Sequence, residues 1–150
     1  MSDVTPENAE AQLAAQLAAI REERANLKVD REARATPSVE DQIKAETQAL
    51  AAERALDEAQ RKYGAKQVRL VRIPDGAVIV RRPHWVAYRK FQDQKEFTYD
   101  ATEEFVTGCL VYPDRRAFAK LLEEQPAVLA QIGLACGELA GLRVDELKSK

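Results

Sequence analysis

The side chains able to do covalent or acid–base chemistry are few and scattered. His84 is the only histidine of the 150 residues, so a general base or an imidazole metal ligand would have to be that one residue. It stands beside Arg81 and Arg82, whose charges disfavour a protonated imidazole, and it reads as a capping or surface histidine. Cys109 and Cys136 lie 27 positions apart. Neither has a companion base at a recognisable spacing, so nucleophilic catalysis has no partner residues. Two cysteines and one distant histidine also lack the CxxC or HxxxH spacing of a zinc site. Buried free thiols are the simplest reading, with a disulfide left open. The pairs Glu22-Glu23, Glu103-Glu104 and Glu123-Glu124 fall on polar helix faces, where neither carboxyl is desolvated enough to act as an acid near neutral pH. The six glycines stand singly and build no phosphate cradle. These residues point away from enzymatic chemistry and away from a bound cofactor.

A second set of residues bears on binding. Residues 1–60 carry 7 basic and 13 acidic side chains, residues 61–95 carry 10 and 2, and residues 96–150 carry 6 and 10. The overall charge of −2 therefore hides an acid–base–acid layout. The basic block holds Arg69, Arg72, Arg81 and Arg82, followed by Arg89 and Lys90. Trp85, Tyr88 and Phe91 are interleaved with it. Basic groups with exposed aromatics can hold nucleic acid through phosphates and stacking. Aromatics recurring every three residues fit burial better, which turns the arginines towards a protein contact.

The elements that carry these residues follow from pattern. With 45% apolar and 32% charged residues, the chain has the composition of a helix-rich protein with a modest core. No apolar run is long enough to span a bilayer, and the start lacks the basic-then-apolar order of a secretory signal; both favour the cytoplasm. Thr5-Pro6-Glu7 is a helix start. Leu13, Leu17, Ile20 and Leu27 then follow at heptad-like spacing, with Arg24 in the seam. A helix over 6–34 would be about 40 Å long. Thr36-Pro37-Ser38 breaks it, and Ser38 can cap a second helix that stops at Gly64. Residues 1–64 thus read as a coiled-coil-like helical arm for docking or self-association.

After Gly64 the period shortens. Residues 68–73 and 77–82 read as the strands of a hairpin, with the turn at Pro74-Asp75-Gly76 and the positive φ placed on Gly76. Two strands alone are rarely stable, so their apolar face must lie on helices or another sheet. Pro83 opens an aromatic helix. Asp100 would cap the next, with Phe105, Val106, Cys109 and Leu110 as its stripe. Asp114 would cap a third, and Pro126 would open a fourth that ends at Gly141. Trp85, Phe91, Phe105 and Phe118 are the expected core aromatics. The fold class is therefore α+β and mainly helical, one β-hairpin packed on a small helical domain over 65–150, preceded by the arm.

From Val68 to Gly141 this order resembles the tail assembly chaperones of long-tailed bacteriophages. The resemblance rests on a hairpin ending in Arg82-Pro83, an aromatic helix with Phe91, and an acidic-capped helix that runs into Cys109-Leu110-Val111-Tyr112-Pro113. A helix with Phe118 and Leu122, and a last helix ending Leu139-Ala140-Gly141, complete it. It covers about half the chain and does not reach the arm. It implies a non-enzymatic α+β protein of the host cytoplasm, absent from the mature virion, which binds the tape measure protein, with the tail tube protein as a second candidate partner. It also implies a longer form made by ribosomal frameshifting. The residues themselves leave two other readings, a nucleic-acid module built on the hairpin and a virion or scaffold component associating through the arm. The partner-facing residues are expected to be Leu13, Leu17, Ile20 and Leu27 in the seam, with Arg69, Arg72, Arg81 and Arg82 in the basic block.

Overall fold

The computed structural model describes residues 6–143, so the cap expected at Thr5 and residues 144–150 of the polar tail lie outside the described residues. Helix α1 runs Pro6–Ala35 with proline at its first position, where the missing N–H costs nothing. The Thr36 hydroxyl bonds back to the Glu32 carbonyl (2.9 Å), and Pro37 prevents continuation. Helix α2, Val39–Tyr63, begins as expected with Ser38 Oγ accepting the Asp41 N–H (3.1 Å). It ends where Gly64 takes a φ of 100°, a conformation that favours glycine. The chain divides between Ile43 and Lys44 into two compact units, so residues 44–63 of α2 belong with the sheet that follows.

That sheet has three antiparallel strands, β1 (Val68–Ile73), β2 (Gly76–Arg81) and β3 (Leu110–Tyr112), with β2 in the middle. The hairpin register pairs Val68 with Arg81 and Ile73 with Gly76. The turn's positive φ falls on Asp75 (62°) and not on Gly76. Asp tolerates the left-handed region, and Pro74 before it supplies the φ that such a turn needs. Of the third strand, Leu110 was expected as the last residue of a helical stripe, and Tyr112-Pro113 as the corner after it. Instead helix α4 (Tyr99–Cys109) stops at Leu110, whose extended backbone pairs with Val80. The following Tyr112–Pro113 peptide bond is cis.

The central strand is covered on both sides, which is why Val78, Ile79 and Val80 are all fully buried. Alternation sends Val71, Ile73, Val78 and Val80 into one core with Phe105, Phe118, Leu129 and Ile132. The other face places Val68 and Ile79 against Ala59, Leu56 and Tyr63 of α2. Alanines in that helix bury little area, but they let its backbone come close to the strands.

The remaining helices are α3 (Trp85–Gln92), α5 (Arg115–Glu124) and α6 (Val128–Leu139). Asp114 caps α5 as its spacing predicts, accepting from the Ala117 N–H at 2.8 Å. The cap of α4 is Thr98, which accepts from Ala101 (3.1 Å), because Thr98 holds the extended backbone a cap requires. Asp100 instead sits in the first turn, where its charge meets the helix dipole. Helix α6 closes with Leu142 N–H on Gly137 O (2.9 Å) and Gly141 N–H on Glu138 O (3.0 Å). Gly141, at φ 106°, supplies the left-handed step for this closure.

Of the four aromatics expected inside, Phe105 and Phe118 are buried and Phe91 is partly so, while Trp85 is 66% exposed. Residues three apart drift by about 60° around a helix, so Trp85 and Phe91 point about 120° apart. The core takes the Tyr88–Phe91 side, and Trp85 rotates outward.

Candidate partner-binding surfaces

Helix α1 buries no residue. Its seam residues are uncovered: Leu13 is 64% exposed, Leu17 47%, Ile20 54% and Leu27 51%. The exposed patch on this one helix is therefore an apolar row with positions set by the 3.6-residue turn. A helix this thin in apolar groups gains little on its own and is stabilised by whatever covers the row.

The four arginines of the basic block do not share a face. Arg69 projects with Val71 towards α6 and forms an ion pair with Glu138. Arg81 projects the other way and sits over the Tyr63 ring of α2, 5.3 Å from its centroid. Arg72 is exposed, and its carbonyl accepts from Gln131 Nε2 (3.0 Å). Arg82 follows the end of β2, with its backbone N–H held by Gln67 O (2.6 Å). Strand alternation separates what the sequence shows as one block.

Arg81 and Arg82 do meet other cations at a concavity between the end of β2, α3 and α4. This cavity of about 400 Å³ is lined by Arg81, Arg82, His84, Lys90, Phe91 and Phe105, with Glu104 as the one acid. Phe91 and Phe105 stack at 4.4 Å with their rings 9° from parallel, making a rigid aromatic wall. His84 caps α3 through Nδ1, which accepts the Val86 N–H at 3.2 Å, in keeping with the capping role its position suggests. Gln94 and Gly108 were not singled out from sequence, and Glu104 was read there only as one of a solvated pair. They reach the cavity only because α3 and α4 fold against each other.

Cys109 also lines the cavity and is almost wholly buried. Its thiol shares a hydrogen bond with that of Cys136 on α6, and both are free. The bond from Cys136 and then the Arg81 charge pull the Cys109 thiol below the ordinary range, against the opposing effect of burial. Donation to Cys109 and burial push Cys136 well above it. Among the described residues no three of His, Cys, Asp and Glu gather as a metal site would require, and no helix is long and apolar enough to cross a membrane.

A second apolar concavity joins the start of α4 to the turn before α6, where Phe97 (59% exposed), Tyr99 and Pro126 meet. Tyr99 donates to the Pro126 carbonyl at 3.3 Å. The chain matches no protein-family model, no curated protein and no solved structure.

Proposed function

We propose that this chain is a non-enzymatic assembly chaperone of a phage tail, which holds a long helical tape measure protein in solution until the tail tube polymerises around it. The supporting observation is the uncovered row Leu13, Leu17, Ile20 and Leu27 on a helix that buries nothing. An amphipathic helical client has an apolar stripe of the same period, and two such stripes cover each other in a helix-on-helix contact. The row is short and interrupted by Arg24, so the contact is reversible and the tube subunits can displace it. Residues 68–141, where the resemblance lies, serve as a folded base for that contact.

The test is co-expression with a tape measure protein encoded beside this chain. The client's soluble fraction rises with the intact chain and falls when Leu13, Leu17, Ile20 and Leu27 are all changed to serine. Equal solubility of the client with and without this chain rejects the proposal. A nucleic-acid module is the less favoured reading, because the hairpin arginines leave the sheet on two faces.

A further inference from the structure

The cavity between β2, α3 and α4 plays no part in the reading built on α1. We propose that it is a binding site for an acidic peptide segment of a partner protein, which sets a carboxylate against Arg82 and Lys90 and an adjoining apolar side chain against Phe91 and Phe105.

Four observations carry this. The volume, about 400 Å³, lies in the range of sites that take a small ligand or one or two side chains. Three cationic residues, Arg81, Arg82 and Lys90, line it against one carboxylate, Glu104. Among the described residues the Arg82 and Lys90 side chains have no ion-pair partner, so their charges are available to an incoming anion. The Arg82 guanidinium fork matches carboxylate geometry, and the Phe91–Phe105 wall offers apolar contact that a free inorganic anion would not use.

A peptide fits better than a nucleic acid strand. The two rings stack on each other, and Phe105 is 8% exposed, so no open aromatic face remains for a base.

Gly108 gives a clean test. It lines the cavity from α4, and a Cβ built there meets nothing within 4 Å. Gly108→Leu therefore fills the cavity without disturbing the packing behind it, and Arg82→Glu with Lys90→Glu reverses its charge. The full chain, labelled with 15N, is titrated with an acetylated and amidated peptide Asp-Asp-Phe-Glu-Asp. Controls are the same peptide with lysine at each acidic position, and a single-stranded oligothymidylate. The acidic peptide is expected to shift the backbone amides of Arg82, Lys90, Gln94 and Gly108. Both variants should weaken it by on the order of tenfold or more while keeping the parent melting temperature. The proposal is overturned if those amides do not move at millimolar peptide, or if folded variants bind as the parent does. Tighter binding of the lysine peptide or the oligonucleotide at the same amides also overturns it. Co-expression with the helical client reads the α1 row and is scored separately from this titration.

Discussion

Arg69 on the first strand and Glu138 on the last helix form an ion pair across 69 positions of sequence. It ties β1 to α6 at the edge of the main core, with side chains 41% and 31% exposed. Water reaches both groups, so the pair orients these elements more than it stabilises them.

A double-mutant cycle on Arg69→Ala and Glu138→Ala should give a coupling energy of about 0.2–1 kcal/mol, shrinking as salt is raised. Urea denaturation of the four proteins at low and high salt measures it. Coupling that is several-fold larger and insensitive to salt would mean that the pair is effectively desolvated.

Phe105 and Trp85 should respond oppositely to truncation. Phe105→Ala removes the ring stacked on Phe91 and opens a cavity in the core, at a cost of about 3–5 kcal/mol. Trp85→Ala should change stability by within about 0.5 kcal/mol, because its ring lies on the surface. As the single tryptophan, it should also emit at the wavelength of a solvated indole and be quenched readily by acrylamide. Equal destabilisation by the two substitutions would place Trp85 inside.

Helices α4 and α6 approach through Gly133, where a Cβ would stand 3.3 Å from Thr102 Cγ2 and 3.8 Å from Val106 Cγ2. Gly133→Leu should push the helices apart and cost about 1–3 kcal/mol. Gly108→Leu, on the open side of α4, should cost far less. Thermal melts of the two variants compare the positions directly.

The thiol pair makes stability depend on alkaline pH. Cys136 has its folded pKa raised by its hydrogen bond to Cys109 and by burial, so it stays protonated in the fold while an unfolded thiol ionises. Between those two conditions the unfolded chain binds fewer protons, and stability must fall as pH rises above the ordinary thiol range. Cys109, shifted down, contributes the opposite slope below that range. Urea titrations from neutral pH to pH about 10 should show the alkaline decline, and Cys136→Ala should flatten it. An unchanged slope in that variant would assign the decline to other groups.

Much of the architecture was legible in the chain, because local physics sets it. Ser38 and Asp114 cap helices where their spacing predicts, since a short polar side chain satisfies N–H groups only a few residues away. Gly64 and Gly141 end helices because the left-handed step needs no distant partner. The apolar row of α1 is likewise a property of one helix and its period. Other features depend on elements far apart in sequence. Leu110–Tyr112 becomes a strand because β2 offers an unpaired edge beside it, although Leu110 also fits the stripe of the preceding helix. Trp85 faces out because α3 turns its Tyr88 and Phe91 side to the core. The basic block divides because a strand sends successive side chains to opposite faces and each face meets a different helix. Only then do Arg81 and Arg82 join Lys90 and His84 around a cavity whose other wall, Glu104 to Cys109, comes from α4. Sequence determined which helices form and where most of them stop. Tertiary packing decided which side chains share a surface, because that depends on which faces the core leaves free.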